Sequence, residues 1–223
     1  MEEALIQFII KNDLRAGDAI PHENDLAQML GVGRNVIREA LSRLKSRGLL
    51  SSRRHRGIEI EKPEINKELE KVIIPQLLSK QDVVNLLELR YTLEIGMVPS
   101  LFRNVSDDDI SNLERILNRQ VREDGKIAVE SEQAFHSCIY AISNNIVIEG
   151  LLKRLISLFR YVNENYEDFN RFNIQIKQRN QQASHEDLLA CLKARDANAY
   201  TEMIARHLLA YKLYVEEFRA NER

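Results

Sequence analysis

From residue 64 to residue 220 the apolar side chains recur at three- and four-residue spacing almost without a break. That spacing lays them along one stripe of an α-helix, whereas a half-buried strand would alternate at a period of two. No such alternation competes here. Seven helical segments are predicted: 64–78, 82–103, 107–123, 127–143, 146–168, 174–194 and 197–220. Ser106-Asp-Asp-Asp109 has the form of a capping box ahead of Ile110, and Asp196 is a good N-cap after the Lys193-Ala-Arg195 helix end. Eight glycines and four prolines in 223 residues leave few places to turn a many-stranded sheet. The class is mostly α.

Residues 1–62 are patterned differently. Three short helices, Glu2–Lys11, Glu23–Leu30 and Arg34–Arg47, precede two short strands, Leu50–Arg53 and Ile58–Ile60. Gly48 stands where a left-handed helix cap belongs, and Gly57 sits at a basic hairpin tip. Pro63 then marks a boundary, so two domains are expected, 1–62 and 63–223.

The formal net charge of −2 gives no overall attraction to a polyanion, and any such signal must be local. It lies between Arg34 and Arg56, where eight basic residues face one acidic residue, a local charge of +7. At 100° per residue Arg34, Asn35, Arg38, Ser42 and Lys45 fall on one side of the third helix. Val36, Ile37, Ala40, Leu41 and Leu44 fall on the other. A lone basic helix usually reads as a solvated face. Here the tight Gly31-Val32-Gly33 turn and a basic hairpin accompany it, which together describe a helix-turn-helix with a wing. Arginine's fork suits guanine edges in the major groove, and a glycine-tipped hairpin can approach the backbone and minor groove.

The run LRAGDAIPHENDLAQMLGVGRNVIREALSRLKSRGLLSSRRHRGIEI resembles the GntR-type winged helix-turn-helix, with the VxRxxVREAL-like core and trailing RLxxxGLL as the specific pieces. The resemblance implies double-stranded operator DNA as partner. It implies base and phosphate contacts from Arg34, Asn35 and Arg38, and a wing contact from Arg56 and Gly57. The chain departs from the pattern at Gly33, where a serine or threonine is usual, at His22, where a serine usually caps the second helix, and at Asn24, where some members carry an arginine.

In the second domain Glu132 and His136 are four apart and share a helical face. His185 and His207 lie eleven residues either side of Asp196, so an antiparallel hairpin turning there brings them to one level, about 16 Å from the turn at ~1.5 Å per residue. Carboxylate and imidazole donors converging in this way are a plausible start to a metal site. ELRYTLE, EQAFHSCIYAISNN, SHEDLLACLKARDANAY and ARHLLAY resemble the FCD ligand-binding domain of the FadR subfamily. That resemblance implies a bundle of six or seven helices around an effector pocket, a homodimer, and a divalent metal on Glu132, His136, His185 and His207. Glu132 stands where relatives usually have aspartate. Zinc, nickel, iron and manganese all suit the donor set. Arg90, four residues before Glu94, reads plainly as half of a surface ion pair; the resemblance implies that it binds the carboxylate of a small organic acid effector, for which its fork is suited.

A metal-dependent helical enzyme is the main rival, and its motifs fail. His185-Glu186 is followed by Leu189 where a zinc-protease helix needs histidine. Gln133, Gln182 and Ile204 precede the three histidines by three residues, so the di-iron Glu-x-x-His pattern is absent too. An interaction protein with a structural metal fits the helical part alone, but not the basic module in front of it. Two cysteines, Cys138 and Cys191, no leader pattern and no apolar run of about 18 residues point to a cytoplasmic protein without a membrane span.

Overall fold

The computed structural model describes residues 1–54, 56–62, 73–120, 122–123, 126–127 and 129–222. The chain divides into two compact units, Met1–Glu68 and Leu69–Arg223. The boundary expected at Pro63 and most of the helix expected over 64–78 lie outside the described residues; of the latter, Pro75–Leu77 form a single 3-10 turn.

In the first unit α1 (Glu2–Lys11), α2 (Glu23–Leu30) and α3 (Arg34–Ser46) pack over a small antiparallel sheet. Its strands β1 (Ala19–Ile20), β2 (Leu50–Arg53) and β3 (Gly57–Ile60) lie in the order β1-β3-β2. Strand β1 was not expected: two residues are too few to show a period. Leu5, Leu26, Ile37, Leu41 and Leu44 are at most 2% exposed, each contributing about 1.5–3 kcal/mol by leaving water. Two glycines set the angle and length of α3. Gly31, at φ 67°, ends α2 left-handed and opens the turn. Gly48, at φ 68°, ends α3 with Leu49 N donating to Leu44 O at 3.0 Å and Gly48 N to Lys45 O at 2.9 Å, a Schellman closure. Val36, expected on the core face, is 46% exposed, because the buried arc of α3 is narrower than its apolar arc.

The second unit is helical. Among the described residues it comprises α4 (Lys80–Gly96), α5 (Val98–Asn104), α6 (Asp107–Asn118), α7 (Val129–Ile142), α8 (Ile146–Asn165), α9 (Glu167–Gln178), α10 (His185–Lys193), α11 (Ala197–His207) and α12 (Leu209–Asn221). A two-residue hairpin, β4 (Arg122–Glu123) with β5 (Lys126–Ile127), precedes α7. It replaces the helical turns expected at 119–123, since Arg119 already leaves helical geometry. Seven expected segments become more numerous helices because three breaks are one residue long, at Met97, Tyr166 and Leu208. Pro99, in the first turn of α5, accounts for the first.

The segment expected over 174–194 divides into α9 and α10. Asn180 is left-handed at φ 52°, and Ser184 restarts the helix through a capping box with Asp187. Helices α10 and α11 then form the hairpin expected about Asp196. Asp196 N donates to Cys191 O at 3.1 Å and Arg195 N to Leu192 O at 3.1 Å, while Asp196 Oδ1 caps α11 by accepting from Ala199 N at 2.9 Å. Arg195 is left-handed at φ 54°, a strain for a residue with a Cβ, and its guanidinium bonds Val105 O at 2.5 Å and Asp107 at 2.6 Å. Those bonds tie the turn to the α5–α6 connection. No described helix is long and apolar enough to cross a membrane.

Candidate metal centre and nucleic-acid interface

Helix α7 supplies Glu132 and His136 one turn apart. The hairpin supplies His185 as the first residue of α10 and His207 as the last of α11, which is why they share a level: both stand at the hairpin's open end. One donor atom from each of the four residues falls within 4.8 Å of the other three. His136 Nε2 lies 3.3 Å from His185 Nε2, 3.3 Å from His207 Nε2 and 3.5 Å from Glu132 Oε2. His185 Nε2 lies 3.3 Å from the same carboxylate oxygen. Zinc-type bonds of ~2.0–2.1 Å at tetrahedral angles require donors about 3.3 Å apart. The donor set and its spacing therefore fit a divalent ion.

His185 is fully buried and His136 3% exposed; Glu132, its side chain 38% exposed, forms the solvent side. Phe135 stacks on His185 with centroids 4.2 Å apart. Desolvation, and then the neighbouring imidazoles His185 and His136, depress His207 to about 3. Desolvation likewise lowers His185, against the pull of Glu132. For His136 burial acts downward, but Glu94 and Glu132 outweigh it and raise it. Burial would raise the Glu132 carboxyl, yet hydrogen bonding to His136 and His185 holds it well below the usual carboxylate range. Two imidazoles are thus neutral and one carboxylate charged, the forms in which they bind metal.

Arg90 is buried at 4% exposure, so its pair with Glu94 is not at the surface. Arg90 Nε donates to Glu94 Oε1 at 2.6 Å, and Tyr140 Oη donates to the same oxygen at 2.8 Å. The guanidinium packs against two adjoining rings, 3.9 Å from the Phe159 centroid and 4.7 Å from that of Tyr211. Glu94 Oε2 faces His136 Nδ1 at 3.5 Å. The other two Nδ1 atoms meet the Ala183 carbonyl at 3.0 Å, for His207, and the amide nitrogen of Gln120 at 3.1 Å, for His185. Sequence reasoning missed Glu94, Tyr140, Gln120 and Ala183. Only Glu94 left a signal, as the i+4 partner of Arg90. Asn145 caps α8 by accepting from Val147 N and Ile148 N at 3.1 and 3.2 Å.

In the first unit Arg34, Asn35 and Arg38 are exposed along the start of α3. A single carboxylate oxygen, Glu23 Oε2 on α2, contacts Arg34 Nε at 3.4 Å and Arg38 Nε at 3.2 Å. Slight desolvation would raise Glu23, but Arg38 and then Arg34 hold it below its ordinary value. Arg56 is 78% exposed beside Glu59. Gly57, at φ 80°, starts β3, and a Cβ there would sit 3.5 Å from the His22 ring. Arg56 and Gly57 thus lie on the wing, with His22 packed beside it.

Residues 1–60 match the family of bacterial regulatory proteins called gntR, and residues 85–210 match the FCD domain. The chain is 30% identical to the HTH-type transcriptional regulator LutR of Bacillus subtilis (strain 168) over 67% of this chain and 70% of that protein. It is 32% identical to the putative L-lactate dehydrogenase operon regulatory protein of Escherichia coli (strain K12) over 63% of this chain and 56% of that protein. Over 68% of its length it is 27% identical to the HTH-type transcriptional repressor NanR of Salmonella newport (strain SL254), covering 60% of it. The chain therefore spans between about half and 70% of these relatives' lengths. A solved Streptococcus agalactiae GntR has the same fold, with a TM-score of 0.50 at 20% identity over 96% of this chain and 97% of that one. The chain belongs to the gntR family of bacterial regulatory proteins, DNA-binding transcription regulators rather than enzymes, in the branch whose second domain is an FCD domain.

Proposed function

We propose that this cytoplasmic regulator binds double-stranded operator DNA as a homodimer, with α3 and the wing as its reading surface, and that a small organic acid held at a divalent metal sets its operator affinity. The observation that carries the second half is the convergence of Glu132, His136, His185 and His207 at spacings that suit coordination. Four protein donors would close a tetrahedral ion, whereas an ion that takes six ligands, as nickel, iron or manganese can, keeps two positions for a chelating carboxylate. A relative is named for an L-lactate dehydrogenase operon, and a 2-hydroxy acid offers a hydroxyl and a carboxylate to one ion. Arg90 commits its Nε to Glu94; its two Nη groups are the donors offered to the acid's carboxylate.

On the DNA side Arg34, Asn35 and Arg38 enter the major groove, and Arg56 with Gly57 meets the flanking backbone. Two copies then read two half-sites about one helical turn apart. The acid regulates only by binding one arrangement of the domains better than the other, and the coupling is reciprocal. The test is elemental analysis of the purified protein, a thermal-shift screen of 2-hydroxy acids starting with L-lactate, and operator titrations with and without each hit. Metal at one ion per chain and an acid that changes operator affinity several-fold are expected. No metal uptake in the wild type, or equal operator affinity with every acid that binds, overturns the reading.

A further inference from the structure

When a histidine ligates through Nε2 its proton must sit on Nδ1, so the group facing Nδ1 sets how ready the ring is to bind. The three rings differ in that group. His207 faces a carbonyl and His185 the amide nitrogen of Gln120, which must turn its oxygen to the ring before Nδ1 can carry the proton, while His136 faces the Glu94 carboxylate. Glu94 is itself buried, and its permanently charged partner is Arg90, buried beside it. A buried ion pair adds little to stability, because desolvation offsets the attraction, and two apolar side chains of the same volume would often serve a fold as well. What apolar side chains could not do is present a carboxylate. Oε1 is occupied by Arg90 Nε and Tyr140 Oη, which stops the group from rotating and leaves Oε2 toward His136. The guanidinium in turn packs against Phe159 of α8 and Tyr211 of α12.

We propose that Glu94 is a positioning residue of the metal centre: its Oε2 accepts the Nδ1 proton of His136 and so fixes that ring with the Nε2 lone pair toward the ion, while Arg90 and Tyr140 hold the carboxylate still. The inference rests on the metal reading of the site. It gives Arg90 a duty to His136 that precedes any contact with an effector, so losing Arg90 weakens metal binding even when no acid is present.

The test uses the full chain stripped of metal, with zinc alone as the probe, titrated against a chromophoric chelator. Glu94→Gln, which keeps the volume and loses the charge, is expected to bind zinc 10–100-fold more weakly. Ring nitrogen-15 spectra of the metal-free protein, taken at a pH above the raised His136 value so that the ring is neutral, supply a readout that a merely structural role would not move: His136 should carry its proton on Nδ1 in the wild type and populate both tautomers in the variant. A folded Glu94→Gln with wild-type zinc affinity and an unchanged His136 tautomer overturns the proposal and leaves the metal site standing. A wild type that takes up no zinc overturns the site itself. Should the single variant fail to fold because Arg90 is left uncompensated, Arg90→Gln with Glu94→Gln removes both charges together, and the same loss of zinc affinity is expected.

Discussion

His207 is neutral in the folded protein down to about pH 3, and His185 is also depressed. In the unfolded chain both titrate near 6.5. Below that pH the unfolded state takes up protons that the folded state refuses, so acid favours unfolding. His136 is raised and works the other way, its contribution complete below 6.5 and lost as pH rises through its folded value. With two depressed rings against one raised, the metal-free protein should be less stable at pH 5 than at pH 7. Urea midpoints at the two pH values, with His207→Leu flattening the fall, check it; a higher midpoint at pH 5 contradicts it. On α3, Arg38→Ala should weaken operator binding by about 1–3 kcal/mol if the side chain reads a base, measured by titration at fixed salt. The basic identity of this face was legible at 100° per residue. The exposure of Val36 was not, because periodicity marks the centre of a buried arc and not its edges. The burial of Arg90 was equally hidden: an i,i+4 pair looks the same from sequence whether its face meets water or Phe159 and Tyr211.

Element ends decide where the donors go. His185 follows the Ser184 cap directly, Ser184 Oγ accepting from Asp187 N at 3.2 Å and Asp187 Oδ2 accepting from Ser184 N at 2.8 Å. Ser184→Ala should cost about 1 kcal/mol and, by fraying the first turn of α10, should also weaken zinc binding. Denaturant melts with and without zinc separate the two effects, and equal losses in both would detach the cap from the site. The break before α10 was readable in principle, since Ser184-His-Glu-Asp187 is a cap signature. It was masked by a polar stretch, Gln178 to Gln182, that contains no glycine or proline. The breaks at Tyr166 and Leu208 have no local signal. At Leu208 the chain leaves helical geometry for one residue, φ −93° and ψ 8°, after Ile204 and before Ala210, both buried, so packing sets it.

Two units, one with an exposed basic face on α3 and one holding a cluster of imidazoles, make separable demands on solution conditions. Operator affinity should fall steeply as salt rises, and Arg56→Ala should reduce the slope of log K against log salt by about 1 if it touches a phosphate. An unchanged slope removes Arg56 from the interface. The meeting of the α7 side chains with the open end of the α10–α11 hairpin could not be read from sequence, because helical periodicity gives each helix a face but not a neighbour. Only the symmetry of His185 and His207 about Asp196 was visible. That hairpin is covalently joined at the Asp196 end, and its donors stand at the opposite, open end. An ion bound there closes it into a ring, with a peptide connection on one side and coordinate bonds on the other. Those backbone amides of α10 and α11 whose exchange with deuterium requires the hairpin to open should then slow as the ion is added, so their rates would time metal release, while those of α1 to α3 should keep their own time.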